Sequence, residues 1–318
     1  MTSPMPFGNL TAPNSATRTH SRMSDASERG VAGEPSKIHS RVNRRTLFAG
    51  AAAPAAAAAV TPAAPATATA GTGISSASPA RPDYLLVHGG SHGGWCWRKL
   101  APMLQRGENR VITPTITGVG DRSHLLHAEL SYDDAVNDII RTIEAEELTD
   151  FVLVGHSIGG AYITSVADRM PERIRRLVYL DAVVIENGET VLSTMPLGSQ
   201  EVLRTLVDAT GGHTVPAPTD PTMFGLTDRN DIDWAKRQLT AHPWSTWSDT
   251  VILTGPAGAG LPRHYIDFTE PAFPDIQASK QRVLNNSREW QLDRINTGHD
   301  GMISAPRAVA EQILSYDR

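Results

Sequence analysis

From residue 84 onward, short apolar runs alternate with stretches of helical periodicity. Tyr84-Leu85-Leu86-Val87, Phe151-Val152-Leu153-Val154 and Leu177-Val178-Tyr179-Leu180 are almost wholly apolar. A run without polar alternation is what a parallel strand covered on both faces requires. Val111-Ile112-Thr113 repeats the pattern in short form, and His264-Tyr265-Ile266 and Trp290-Gln291-Leu292 carry it toward the C-terminus. Val136, Ile139, Ile140 and Ile143 share one helical face behind a Ser131/Asp134 capping-box spacing. A last helix is expected from Ser304, with Val309, Ile313 and Leu314 as its apolar positions. The alternation predicts an α/β fold, a mainly parallel sheet flanked by helices. Residues 186–262 break the rhythm with Trp234, Trp244, Trp247, scattered prolines and helical pieces at 201–210 and 231–240. That length and texture predict an inserted helical cap. The glycine-rich run 255–260 precedes a strand where a nucleotide cradle would follow one, so it reads as a connector.

Ahead of this pattern, residues 1–70 differ in composition. Fourteen of the 22 residues from Ala49 to Ala70 are alanine. Asn43-Arg44-Arg45-Thr46-Leu47-Phe48 precedes a mild apolar run to Val60, and Ala68-Thr69-Ala70 is a small-x-small site before Gly71. A paired arginine before a weakly apolar stretch reads as a twin-arginine export signal, with Met1, Met5 or Met23 as its start. The run is too short, too alanine-rich and too interrupted by Pro54 for a membrane anchor. The reading is therefore a leader over 1–70 and an exported, periplasmic or extracellular domain over 71–318. Of the chain's net charge of −5, residues 1–70 contribute seven Lys and Arg against three Asp and Glu, leaving −9 on the rest. An acidic body argues against nucleic acid and against stable membrane association. The single cysteine, Cys96, excludes an intramolecular disulfide and cysteine-cluster metal sites.

The chemistry centres on Gly155-His156-Ser157-Ile158-Gly159, which follows the run 151–154 directly and opens a helix through Ala161 to Val166. A serine at a strand-to-helix turn presents its hydroxyl at the sheet edge, and the helix N-terminus faces the negative charge that develops there. His88-Gly89-Gly90 follows the first strand in the same way. The N–H groups of Gly90 and of Ile158 are the oxyanion-hole candidates. His88 reads as a structural histidine, and His92 as pocket lining. Ser157 is the candidate nucleophile.

Val87-His88-Gly89-Gly90-Ser91-His92-Gly93-Gly94-Trp95-Cys96-Trp97, taken with Gly155 to Gly160, resembles the α/β-hydrolase branch of plant methyl-ester esterases and hydroxynitrile lyases. Thr115-Ile116-Thr117-Gly118-Val119-Gly120-Asp121-Arg122-Ser123-His124-Leu125 is similar to runs in bacterial members of that branch. The resemblance covers roughly residues 83–316. It implies the α/β-hydrolase fold and an esterase that uses no cofactor. Lyases of the branch carry threonine where Gly89 stands and lysine where Asp300 follows the catalytic histidine, which disfavours lyase activity.

In this fold the order is serine, acid, histidine. Thr297-Gly298-His299-Asp300 falls between the last strand and the last helix, which makes His299 the candidate base. His124 and His127 form an H-x-x-H without an acidic third ligand, so no metal is expected. The acid departs from the family. Aligned on Tyr265-Ile266-Asp267, the plant esterases' aspartate falls on Pro271, which cannot orient an imidazole. Asp181, at the end of the run 177–180, is the first replacement, and Glu270 is the alternative. The leading reading is a serine hydrolase that cleaves a small-molecule carboxylic ester or lactone through an acyl-enzyme. A serine at the elbow excludes the alkyl displacement of dehalogenases and epoxide hydrolases. The competing readings are a catalytically impaired small-ligand binder, favoured by Pro271, and a hydroxynitrile-lyase-like or C–C bond hydrolase. Trp95, Trp234, Trp244 and Trp247 are the candidates for an apolar substrate pocket.

Overall fold

A computed structural model describes residues 81–317; the leader and its twin-arginine pattern lie outside the described residues. Six strands form one parallel sheet: β1 (Tyr84–Val87), β2 (Val111–Ile112), β3 (Phe151–His156), β4 (Ile174–Leu180), β5 (Arg263–Phe268) and β6 (Trp290–Ile295). Their order is β2-β1-β3-β4-β5-β6. All neighbouring pairs are parallel, with Leu85 opposite Leu153, Leu153 opposite Leu177 and Tyr179 opposite Tyr265.

Both faces of the central strands β1 and β3 and of most of β4 are buried, which is why their sequences lack polar alternation, whereas the edge strand β6 exposes Gln291 and Arg294. Leu85, Leu153, Leu177 and Tyr179 face one apolar layer, and Leu86, Val152, Val178 and Ile266 face the other. The first layer is closed by α1 (Tyr132–Ala145) through Val136, Ile139 and Ile143, and by α2 (Gly159–Arg169) through Ile163 and Val166. The Ser131–Asp134 capping box is formed at the head of α1. The chain then leaves the sheet after β4. Its excursion holds α3 (Leu197–Asp208), α4 (Arg229–Gln238) and a two-strand ribbon pairing Thr214–Val215 with His242–Pro243. After β5, α5 (Gln277–Asn285) adds Val283 to the first layer, and α6 (Pro306–Ser315) closes the second with Val309 and Ile313.

The site follows from the topology. Strand order reverses between β1 and β3, and in such sheets ligands bind beyond the strands' carboxyl ends at that reversal. His88 to His92 leave the end of β1, Ser157 the end of β3, Asp181 the end of β4 and His299 the loop after β6. Among the described residues no helix is long and apolar enough to cross a membrane.

Candidate active site

Ser157 sits at φ +53°, in the left-handed region. That turn works only without side chains on its flanks. A Cβ at Gly155 would lie 2.6 Å from the Gly159 carbonyl oxygen, and one at Gly159 would lie 2.8 Å from the Val87 and His88 carbonyls. The turn is tied down by its own backbone, since the Ser157 carbonyl accepts from Gly160 and Val183 N–H at 3.0 and 2.9 Å. Among the described residues, neither the Gly90 nor the Ile158 N–H has a hydrogen-bond acceptor. Both are available to an oxyanion. Gly89 is held open as well: a Cβ there would lie 2.9 Å from Ser157 Cβ and 2.8 Å from His156 Nδ1. The lyase threonine has no room at this position.

His299 is almost fully buried and lines the same cavity as Ser157. Its Nδ1 lies 2.7 Å from Asp181 Oδ2. Asp181 is itself completely buried at φ +45°, and its N–H donates to the Ile266 carbonyl, which fixes the carboxylate at the tip of β4. Its other oxygen, Oδ1, accepts from Phe268 N–H at 3.2 Å and lies 2.8 Å from the Lys280 ammonium. Lys280, on α5, also reaches Asp267 Oδ1 at 2.5 Å and donates to the Phe268 carbonyl at 2.9 Å. Three groups therefore hold Asp181 with one oxygen toward His299. Glu270 is exposed and is not brought to His299.

The histidine behind the elbow is fixed too. His156 Nε2 donates to the His299 carbonyl at 2.8 Å, and the two rings are 4.6 Å apart. Burial, reinforced by neighbouring His299 and His92, pushes His156 well below the usual histidine range, so it is neutral. His88 donates from Nδ1 to the Gly89 carbonyl and accepts the Ile116 N–H at Nε2. Burial lowers it to about 4, as suits a structural imidazole bracing the turn.

The sequence profile of the Alpha/beta hydrolase family matches residues 84–312. The chain belongs to the alpha/beta hydrolase family. A carbendazim hydrolyzing esterase from Nocardioides is 35% identical over 242 residues, 73% of this chain and 98% of that protein. Putative methylesterase 11, chloroplastic, of Arabidopsis thaliana is 26% identical over 251 residues, 74% of this chain and 64% of that protein. Among solved structures, an extracellular alpha/beta-hydrolase from a Paenibacillus species has a TM-score of 0.66 at 22% identity. That match covers 75% of this chain and 100% of the other. A pyrethroid hydrolase from Sphingobium faniae has a TM-score of 0.59 at 21% identity, over 74% of this chain and 97% of the other. These two structures speak for the fold. Relatives named as esterases and methylesterases support this alpha/beta hydrolase as a carboxylic ester hydrolase.

The hydrolase's cavity has a polar floor and an apolar wall. Gly90, Ser157, Ile158 and His299 form the floor, and Val191, Met195, Leu203, Val215, Met223, Phe224 and Trp247 of the β4–β5 excursion supply much of the wall. Phe273 stacks on His299 with centroids 4.0 Å apart. Of the four tryptophans expected to line it, only Trp247 does, lying over Gly90. Trp95 instead stacks behind His92, and Trp234 packs edge-on against Trp95. Trp244 stands outside the cavity wall; its carbonyl accepts the Trp247 N–H. Ring size flagged these residues, but the fold of the excursion decides which ring faces inward. The lining methionines, Phe224 and Phe273 carried no signal in the sequence beyond being apolar. Among the described residues no group of three or more His, Cys, Asp or Glu is placed to hold a metal ion, His124 and His127 included.

Proposed function

We propose that this hydrolase cleaves an apolar carboxylic ester through an acyl-enzyme, with Ser157 as nucleophile, His299 as base and Asp181 as acid. The observation that carries the assignment is the 2.7 Å contact between Asp181 Oδ2 and His299 Nδ1 beside the cavity that Ser157 lines. A carboxylate on Nδ1 fixes the tautomer whose Nε2 accepts a proton and stabilises the imidazolium that results. His299 Nε2 takes the Ser157 Oγ proton as Oγ attacks the ester carbonyl. The carbonyl oxygen, now negative, is received by the Gly90 and Ile158 N–H groups at the head of α2. Collapse of the intermediate expels the alcohol, which takes the proton from His299. Water then repeats the sequence on the acyl-serine.

The apolar wall supports a substrate with an alkyl or aryl body. Carbendazim and a pyrethroid ester, on which the relatives' names bear, are the first compounds to assay beside p-nitrophenyl esters of graded chain length. We also propose export through the twin-arginine pattern at Asn43 to Phe48, with cleavage before Gly71. N-terminal sequencing of secreted protein reads this directly, and residues 49–60 still attached would overturn it.

The catalytic assignment is tested with Ser157→Ala. Turnover is expected to fall by roughly 10⁴-fold or more, with labelling by a fluorophosphonate abolished and the melting temperature kept. Activity within about tenfold of the parent would remove Ser157 as nucleophile, because loss of a nucleophile costs far more.

A further inference from the structure

The cavity holds a second buried histidine–carboxylate pair that the reaction above does not use. His92 is 1% exposed and Asp300 completely buried. His92 Nδ1 lies 2.7 Å from the Gly90 carbonyl oxygen, and its Nε2 lies 3.2 Å from Asp300 Oδ2. A carbonyl only accepts, so Nδ1 carries a hydrogen. The charge of Asp300 and its hydrogen bond at Nε2 favour a proton on that nitrogen as well. His92 is thus a donor at both nitrogens, a histidinium with Asp300 as its counter-ion. Burial opposes that charge, but the charge and hydrogen bond of Asp300 and the Gly90 carbonyl outweigh it, and the pKa is raised. Trp95 stacks on the ring at 5.1 Å and Phe224 meets its edge at 5.4 Å, which fixes its plane.

The peptide that His92 grips is held from the other end as well. The next N–H, of Ser91, donates to His242 Nδ1 at 3.0 Å. An Nδ1 that accepts leaves the hydrogen on Nε2, which faces Tyr162 Oη at 3.3 Å. Burial lowers His242 to about 3, so this ring is neutral. The Ser91 carbonyl accepts from Thr240 N–H at 3.0 Å, and Ser91 is at φ +61°. The planar Gly90–Ser91 peptide is therefore held at its oxygen by a histidinium and at its nitrogen by a neutral imidazole. The Gly90 N–H itself belongs to the preceding Gly89–Gly90 peptide, whose carbonyl accepts from His88 Nδ1 at 2.8 Å, so Gly90, with no side chain to restrain it, is fixed between two held peptides.

We propose that His92 is a positioning residue: with Asp300 as counter-ion it locks the Gly90–Ser91 peptide and so, with His88 holding the peptide before it, fixes the Gly90 backbone with its N–H toward the ester oxygen. This rests on Gly90 serving the oxyanion, as assigned above. The test compares His92→Asn with His92→Phe on a p-nitrophenyl ester. An asparagine amide nitrogen takes the place of Nδ1 and keeps the bond to the Gly90 carbonyl, whereas phenylalanine keeps the ring and its stacking but has no donor. His92→Phe is expected to lower kcat about 100-fold, the scale of one misplaced oxyanion donor, with KM within about threefold. His92→Asn is expected to stay within about tenfold of the parent in kcat. A role in packing alone predicts the opposite order. Equal losses, the opposite order, or a folded His92→Phe with parental kcat would each overturn the proposal. If His92→Phe does not fold, His92→Gln replaces it, because glutamine places its amide near Nε2 and leaves the Gly90 carbonyl without a donor; kcat must then fall below that of His92→Asn. Ser157→Ala in the same assay separates the two failures: an active Ser157→Ala overturns the catalytic reading, and an inactive one beside a normal His92→Phe overturns only the clamp.

Discussion

His299 and His92 occupy one cavity, each against a buried aspartate, yet they are wired in opposite ways. Among the described residues His299 is hydrogen-bonded at Nδ1 and not at Nε2, and it lines the cavity together with Ser157. His92 is bonded at both nitrogens and has no position from which to take up a proton. The carboxylates differ correspondingly. Asp181 meets His299, Lys280 and the Phe268 N–H, whereas Asp300 has His92 on one oxygen and, among the described residues, no partner for Oδ1. One pair can cycle a proton and the other can only hold a charge in place. Identical residue types acquire different chemistry from the number of ring nitrogens left free.

The sharpest way to break that contrast is to neutralise each carboxylate in turn. Asp181→Asn should keep the shape of the site but favour the wrong imidazole tautomer, with kcat falling on the order of 10⁴-fold. Asp300→Asn still offers an acceptor to His92 and should cost no more than about the 10²-fold of one oxyanion donor. Glu270→Gln, at an exposed position, should change activity at most a few-fold. Steady-state kinetics on one ester ranks the three. Equal losses at Asp181 and Asp300 would erase the distinction between them, and a crippled Glu270→Gln would move the acid to the loop before Pro271.

Lys280 sharpens the comparison through stability. It is nearly buried and faces Asp181 and Asp267 together. Lys280→Met leaves Asp181 without its lysine and Asp267 with Arg294 alone, and breaking a buried ion pair from one side costs about 3–5 kcal/mol. Urea unfolding measures the loss. A change under about 1 kcal/mol would mean that solvent or the Phe268 N–H suffices to hold Asp181.

How much of this was legible in the chain depended on how far apart the partners lie. The elbow is local: Gly155, Ser157 and Gly159 dictate the turn within five residues, and the apolar run before it identifies the strand. The proposal of His299 as base rests on the serine–acid–histidine order, and that of Asp181 as acid on its place at the end of an apolar run once Pro271 is chemically excluded. The His92–Asp300 pair joins positions 208 apart, and Lys280 reaches Asp181 from α5; neither contact has a sequence period to betray it. The excursion between β4 and β5 was legible as an inserted cap with helical pieces at 201–210 and 231–240, and α3 and α4 fall close to them. Its α3 starts at Leu197, ahead of the expected 201, because the amphipathic signal is blurred: Leu197, Val202 and Leu206 are exposed, while Gln200 and Val207 are the buried positions.

The smallest expected effect on stability separates the neutral histidines from the charged one by pH. His88 is lowered to about 4 and His242 to about 3, and His156 is held well below the usual histidine range, in each case chiefly by burial. In the unfolded chain each takes a proton near 6.5, so below that pH the unfolded state binds more protons and folding stability drops. Each such histidine removes about 1.4 kcal/mol per pH unit as pH falls from 6.5 toward its folded value. His92, raised in the folded state, works the other way: its contribution is complete below 6.5 and is lost as pH rises through its folded pKa. The window from pH 6.5 to 5.0 therefore isolates the neutral set, above the range in which ordinary carboxylates titrate. His242→Asn can accept the Ser91 N–H through its amide oxygen but cannot take a proton. Its stability should fall by about 2 kcal/mol less than the parent's across that window, one histidine's share of the slope. Urea unfolding at the two pH values decides it. An unchanged difference would mean that His242 already carries a proton in the folded state. Its Nδ1 could then not accept from Ser91, and the clamp would lose its neutral arm.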